Sequence, residues 1–215
     1  MKLSDLPRSW WVSTGNAGKL REIVPMIEEH FAPGDGLRLK IEGRAPREAE
    51  ETESTFTGNA YIKARALVTE LTSEGYRDFC VLSDDSGLAV DALGGRPGVH
   101  SARYAGDHVA PEAHMAKLQQ ELAHIQDPAR RTARYHCALV LLASIGGHLR
   151  EFVAEGTCEG VIGPDARGAS GFGYDPIFVV PSYGKTMAEL SYETKNSFSH
   201  RRRAFERLAA QFARP

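Results

Sequence analysis

The sequence has few cysteines, no long apolar stretch and almost no net charge, and each shortage excludes a class of protein. Its three cysteines, Cys80, Cys137 and Cys158, lie far apart in 215 residues and outside metal-ligand spacing. They indicate buried thiols in a reducing compartment and exclude a disulfide framework or a zinc site. The longest apolar run, 137–143, is far shorter than the about 20 residues of a membrane-spanning helix. The first residues lack the apolar core of a signal peptide. We therefore expect a cytoplasmic protein.

The charges are nearly balanced. There are 26 Lys and Arg residues against 28 Asp and Glu residues, a formal charge of −2. Such a chain has no overall field that attracts nucleic acid or an acidic membrane, so we expect neither as a partner. The apolar and charged fractions, 42% and 25%, are those of a globular protein. Because the chain contains no repeat or obvious linker, we expect a single domain over residues 1–215.

The hydrophobic pattern predicts alternating strands and helices, which is typical of an α/β fold. Strands are predicted at 10–13, 79–83, 88–93, 133–144, 149–158 and 177–180. Helices are predicted after residue 18, after a cap at Ser54 or Thr55, over 111–125 and over 199–212. Pro25 predicts a kink or an early end in the first helix. Gly146-Gly147 between two apolar runs predicts a hairpin, hence an antiparallel pair in a mixed sheet.

The first loop, Ser13-Thr14-Gly15-Asn16-Ala17-Gly18-Lys19, lies where a strand becomes a helix. Backbone amides at a helix N-terminus, together with a lysine, form a good anion-binding site. The alternative is a tight turn capped by Asn16. The loop is not a P-loop, because Ser13 stands where that motif needs glycine and Leu20 where it needs serine or threonine.

Two adjacent carboxylates, Asp84 and Asp85, follow the apolar strand 79–83. Burying them is costly unless they are paired, hydrogen-bonded or bound to a metal. Open α/β sheets bind their ligands at strand ends, and Mg²⁺ prefers one or two carboxylates plus substrate phosphates. Either aspartate could also take a proton from water. The alternative is a simple Asx turn.

Three weaker signals accompany this pair. The acidic run of four glutamates within 48–53 is either a solvated face or part of a metal site, and Lys63 is either an ordinary exposed lysine or a phosphate ligand. The glycine-rich stretch 167–176 carries Phe172 and Tyr174, which either stack on a base or pack into the core. Residues 200–203 place cations in the first turn of the last helix, where the helix dipole disfavours them. They form either an anion site or a soluble surface. Together these features indicate a nucleotide-phosphate site.

Several long motifs occur in fixed order from about residue 12 to residue 208: STGNAGKLREI, EETESTFTGNAYIKA, SDDSGLAVDALGGRPGVHSARYAG, GASGFGYDPIF, GKTMAEL and KNSFSHR. On these motifs the chain closely resembles the inosine/xanthosine triphosphate pyrophosphatases of the RdgB type. The resemblance implies a long mixed sheet with helices on both sides, two lobes around a central substrate cleft, and a homodimer. It also implies Mg²⁺-dependent hydrolysis of ITP, dITP and XTP to the monophosphate and pyrophosphate.

The resemblance also implies roles for individual residues. Asp85 would be the general base and a metal ligand, and Glu50 the second metal ligand, with the adjacent Glu51 as the alternative. The residues that would bind substrate are Thr14, Gly15, Asn16, Ala17, Gly18, Lys19, Lys63, Ser86, Phe172, Gly173, Tyr174, Asp175, Lys195, His200 and Arg201. The chain departs from the family pattern at Glu53, where glycine is common, and at Gly58, where glutamate is common.

Two other functions fit parts of this pattern. A pyrophosphatase of the Maf type has a similar fold and would hydrolyse pyrimidine triphosphates such as dTTP or UTP faster than ITP. A non-catalytic nucleotide- or RNA-binding module would use the basic helix start and would bind without turnover. The balanced net charge and the pair of carboxylates disfavour the binding module.

Overall fold

Strands and helices alternate along the chain, as the sequence predicts. The computed structural model describes residues 1–32 and 38–213. Among these residues the α-helices are α1 (Ala17–Phe31), α2 (Phe56–Ser73), α3 (Pro111–Glu121), α4 (Tyr192–Phe198) and α5 (His200–Ala209). The strands are β1 (Ser9–Val12), β2 (Lys40–Gly43), β3 (Phe79–Val90), β4 (Thr132–Ile145), β5 (His148–Ile162), β6 (Phe178–Val180) and β7 (Lys185–Thr186).

The strands form one mixed sheet in the order β2-β1-β3-β4-β5-β6-β7. Strand β1 runs parallel to both β2 and β3, whereas β6 runs antiparallel to both β5 and β7. Strands β4 and β5 are neighbours joined by Gly146 and Gly147, which have φ values of +56° and +79°. Such a short connection requires an antiparallel pair. The predicted α/β class, mixed sheet and hairpin are confirmed.

The prediction of a strand end at Ser83 is wrong. Strand β3 continues from Phe79 to Val90, so Asp84 and Asp85 lie inside it, with only 1% and 5% of their surface exposed. Aspartate and glycine have low strand propensity, and this suggested a turn. The strand continues because lysines from two helices neutralise the two carboxylates.

Helix α1 does not end at Pro25, so of the two predicted alternatives the early end is wrong, and the kink stays a prediction. The helix continues six residues further, to Phe31. Its buried face, Ile23, Met26, Ile27 and Phe31, packs into an apolar cluster. This packing offsets the hydrogen bond that proline removes.

The other helices differ from prediction mainly at their ends. Helix α2 is capped by Thr55, whose side chain accepts from the Gly58 amide, and it buries Ala60, Ala64, Leu67 and Leu71. Helix α3 ends at Glu121. The predicted last helix begins at His200 and is preceded by a separate short helix, α4, that hydrophobic periodicity did not indicate. The short strands β2 and β7 were also missed.

The chain divides into two compact units. The first contains residues 1–85, residues 137–156 and the segment from Arg202 onward, and the second contains residues 86–136 and 157–201. In the first unit, alternate residues of the strands enter two different apolar clusters, which lie on opposite faces of the sheet. Cys80 and Leu82 pack with α1 and α5, whereas Phe79 and Val81 pack with α2.

The second unit has one apolar cluster of its own. It combines the end of β3, α3 and parts of β4, β5 and β6, with Leu88, Leu118, Ile162 and Phe178 fully buried. That the whole chain forms one domain of two lobes stays a prediction.

Candidate active site

The loop that follows β1 is built around the cap of α1. The Asn16 side chain accepts hydrogen bonds from the Gly18 and Lys19 amides at 2.8 and 3.1 Å, and Thr14 Oγ1 accepts from the Asn16 amide at 3.1 Å. The turn capped by Asn16 is therefore present. The loop residues Gly15, Asn16 and Ala17 are exposed at the positive end of the helix dipole, where they can meet an anion.

Strand alternation sends the two aspartates of β3 to opposite faces of the sheet. Asp84 shares the face of Cys80 and Leu82, towards α1, and its carboxylate lies 2.5 Å from Lys19 Nζ. On the same face the Cys137 thiol donates to the other oxygen of Asp84 at 3.0 Å. Asp85 faces α2, where its carboxylate lies 2.8 Å from Lys63 Nζ. Each lysine comes from a helix whose position the apolar core fixes.

Both lysines also reach one backbone oxygen. Lys63 Nζ donates to the Asp84 carbonyl at 3.0 Å, and Lys19 Nζ donates to the same atom at 3.3 Å. Lys63 in addition lies 2.7 Å from Glu51. We call these five residues, Lys19, Glu51, Lys63, Asp84 and Asp85, the carboxylate cluster. It concentrates two ammonium groups and three carboxylates within one unit.

The pKa values of Asp85 and Lys63 are both raised, for different reasons. Burial raises the pKa of Asp85 above its usual range, and the charges of Lys63 and Lys19 offset only part of this effect. For Lys63, burial acts to lower the pKa, but Asp85 and Glu51 outweigh it and raise the pKa above its ordinary value. Asp85 Oδ2 is buried and has no hydrogen-bond partner among the described residues. A raised pKa and an unengaged oxygen suit a group that takes up a proton.

The acidic run before α2 places one glutamate at the cluster. Glu51 is half-buried and contacts Lys63, whereas Glu50 is exposed. The run is held to α2 by the Glu53 amide, which donates to Asn59 Oδ1 at 2.9 Å. Glu53 also lies against Gly58, where a Cβ would come within 2.7 Å of its side chain. The two departures from the family pattern are therefore neighbours, and the glycine makes room for the glutamate.

In the second unit, a buried ion pair organises the glycine-rich loop. Lys195 Nζ lies 2.7 Å from Asp175 Oδ2, and the same oxygen accepts from the Phe172 amide at 3.0 Å. Lys195 Nζ and Arg201 Cζ lie 5.1 and 6.0 Å from the centre of the Phe172 ring. Arg201 also donates to Ser86 Oγ at 3.2 Å. We call Ser86, Phe172, Asp175, Lys195 and Arg201 the aromatic cluster.

The other predicted residues of this loop have different positions. Tyr174 is buried in the apolar cluster, where its hydroxyl donates to the Ser101 carbonyl at 2.9 Å and burial raises its pKa. Phe172 is half-buried, and Gly173 is exposed with a φ of +62°. Of the two predicted alternatives, Tyr174 packs into the core, whereas Phe172 keeps part of its ring accessible.

The basic start of α5 is not uniformly solvated. His200 and Arg201 are buried, whereas Arg203 is exposed. Arg202 forms ion pairs with Glu29 at 2.6 Å and Glu206 at 2.9 Å. The prediction of an anion site at the start of α5 is therefore compatible with His200 and Arg201, and not with Arg202 or Arg203.

Sequence reasoning missed two residues of β4 that contact these clusters. Cys137 donates to Asp84, and Tyr135 donates to Asp175 Oδ1 at 3.2 Å while its ring stacks on His200. Both occupy inward positions of an alternating strand, a pattern that marks burial but gives no information on polar contacts.

In residues 1–32 and 38–213 no helix is both long and apolar enough to cross a bilayer. The same part of the chain contains no group of three His, Cys, Asp or Glu side chains that could hold a metal ion.

The fold and the two clusters define a class of protein: an α/β protein with lysine–carboxylate pairs beside a helix N-terminus, an arrangement suited to nucleotide phosphates. A model of the Ham1 family matches residues 10–211. The chain belongs to the Ham1 family, which confirms the resemblance read from its motifs.

Curated relatives and solved structures agree with this assignment. The dITP/XTP pyrophosphatase of Halalkalibacterium halodurans is 43% identical over 94% of this chain and 97% of its own. That of Geobacillus kaustophilus is 44% identical over 94% of this chain and 92% of its own. The structure of a HAM1 protein from Coxiella burnetii superposes with a TM-score of 0.76 at 34% identity, covering 94% and 97% of the two chains.

Proposed function

We propose that this protein hydrolyses nonstandard purine nucleoside triphosphates (ITP, dITP and XTP) to the nucleoside monophosphate and pyrophosphate, and so cleanses the nucleotide pool. The relatives named dITP/XTP pyrophosphatase support the substrate class. The observation that carries the chemistry is Asp85, a buried carboxylate with one oxygen held by Lys63 and the other unengaged within the described residues.

In the proposed reaction Asp85 is the general base. It takes a proton from a water molecule, whose oxygen attacks the α-phosphorus as the bond to the bridging α–β oxygen breaks. The electron pair of that bond leaves with pyrophosphate. Lys19 and Lys63, together with the exposed amides at the start of α1, bind phosphate oxygens and stabilise the charge that develops on the leaving group.

Two carboxylates of the cluster, those of Asp85 and Glu51, lie close enough together to share a divalent cation. Glu51 and Asp85 each place one oxygen within 2.8 Å of the Lys63 ammonium, so both carboxylates already contact the same positive charge. We propose that Asp85 and Glu51, rather than the exposed Glu50, would hold Mg²⁺, with substrate phosphates supplying further oxygen ligands. The ion would neutralise phosphate charge and polarise the α-phosphoryl group.

We assign the base to the aromatic cluster. The half-buried Phe172 ring offers a face for stacking, and Arg201 supplies a fixed guanidinium. Lys195 and Asp175 fix the loop that carries this ring. A backbone amide aimed at a 6-keto oxygen would reject the 6-amino group of ATP, because an unpaired buried donor is costly. A homodimer, a cytoplasmic location and the absence of nucleic-acid or membrane partners stay predictions.

The test is the product released from a panel of nucleotides in the presence of Mg²⁺. We expect pyrophosphate from ITP, dITP and XTP, and little from ATP and GTP. Orthophosphate instead of pyrophosphate would refute the proposed bond cleavage. Faster turnover of dTTP or UTP would support a Maf-type enzyme, and binding without turnover would support a binding module.

A further inference from the structure

Tyr135, on β4, contacts Asp175 of the aromatic cluster and His200 at the start of α5. The first part of β4 alternates between buried and partly buried positions, and Tyr135 is on the inward side with 8% of its surface exposed. Its ring packs on Phe178 at 4.6 Å between centroids, which fixes it in the apolar cluster of the second unit. It therefore presents its hydroxyl and one ring face from a rigid strand.

The hydroxyl of Tyr135 is hydrogen-bonded to Asp175. This carboxylate is 3% exposed, so its charge requires several donors. Oδ2 is engaged by Lys195 and by the Phe172 amide, and Tyr135 donates to Oδ1 at 3.2 Å. Asp175 Oδ2 lies where a Cβ at position 171 would be, so the close approach of this carboxylate requires the glycine. Tyr135 thus fixes the second oxygen and, with it, the plane of the carboxylate.

The ring of Tyr135 stacks on His200. The two rings lie 4.8 Å apart between centroids and are inclined by 15°, a stacked arrangement. His200 is 5% exposed and is the first residue of α5, directly before Arg201. A stacked neighbour limits rotation of the imidazole. Tyr135 therefore orients two side chains from different segments of the chain, the Asp175 carboxylate and the His200 imidazole.

We propose that Tyr135 is a positioning residue for base recognition, holding Asp175 by its hydroxyl and His200 by its ring. This role rests on the proposed function, since it supposes that the aromatic cluster binds the purine. It predicts that loss of Tyr135 weakens binding of the purine base and leaves binding of phosphates unchanged.

The experiment measures the affinity of the enzyme for inosine monophosphate and, separately, for pyrophosphate by calorimetry. Tyr135→Phe keeps the stack and loses the hydrogen bond, and we expect about threefold weaker binding of the monophosphate. Tyr135→Leu loses both contacts, and we expect at least about tenfold weaker binding. In both variants the affinity for pyrophosphate should stay within about twofold of wild type.

Tyr104→Leu is the matched control, because Tyr104 is similarly buried in the same apolar cluster, with 9% of its surface exposed, and its hydroxyl meets Arg96. It should lower thermal stability without changing either affinity. Equal weakening of both ligands by Tyr135→Leu, or wild-type affinities in both Tyr135 variants, would overturn the inference. If Tyr135→Leu does not fold, Tyr135→Phe decides alone. Failure of the wild-type enzyme to release pyrophosphate from ITP, dITP or XTP would instead refute the proposed function.

Discussion

Replacing Asp85 by asparagine should separate activity from stability. Asparagine keeps the shape of the side chain but cannot accept a proton from water. Loss of a general base lowers the rate of the chemical step by about 10²- to 10⁴-fold. Because the proposed role is in chemistry, kcat for dITP should fall by this factor and KM should change little.

The structure predicts a small effect of the same change on folding. Burial raises the pKa of Asp85 in the folded state, so the folded protein binds this proton more tightly than the unfolded chain does. The ionised carboxylate therefore costs stability, and the free energy of unfolding falls as the pH rises from 3.8, the ordinary pKa of an aspartate, through the folded-state pKa. Asparagine carries no such cost. Lys63 keeps Glu51 at 2.7 Å and the Asp84 carbonyl at 3.0 Å, so its charge stays compensated. We expect the free energy of unfolding at neutral pH to change by about 1 kcal/mol or less.

The assay is pyrophosphate release at saturating dITP, with thermal unfolding of the same samples. Asp91→Asn is the control, since Asp91 directly follows β3, is exposed and pairs with Arg134 at 2.8 Å. That variant should retain full activity. A kcat for Asp85→Asn within about threefold of wild type would refute the role of Asp85 as the base.

Three further perturbations test other parts of the site. Lys19→Met removes the ammonium 2.5 Å from Asp84 and should raise KM for dITP about tenfold or more, as expected for a lost charged hydrogen bond; an unchanged KM would exclude the first loop from the site. Excess EDTA should abolish pyrophosphate release and added Mg²⁺ should restore it, so full activity in chelator would end the metal proposal. Gly171→Ala places a Cβ on Asp175 Oδ2 at a φ of +80° and should lower the free energy of unfolding by about 1–3 kcal/mol. Gly147→Ala, at a φ of +79° in open space, should cost less in thermal unfolding, and equal losses would show that the clash is not the cause.

The sequence alone predicted the α/β class, the hairpin and the cap of α2, because hydrophobic period and turn chemistry are local properties. Its motifs indicated the family, since several long motifs in fixed order rarely occur by chance. Predictions from local sequence were wrong where tertiary packing determines the structure. Helix α1 continues beyond Pro25 because its apolar face is buried, and β3 continues through Asp84 and Asp85 because lysines pair with their carboxylates.

Within the carboxylate cluster, the sequence supplied the residue types and the tertiary structure supplied their partners. Adjacent aspartates on a strand face opposite ways, so Asp84 meets Lys19 and Asp85 meets Lys63 only because α1 and α2 cover opposite faces of the sheet. Glu51 joins the cluster and Glu50 does not, a difference of one residue that no composition or spacing rule decides. Tyr135 has no local signal at all. Its contacts with Asp175 and His200 join residues 40 and 65 positions away, and such contacts exist only once the chain has folded.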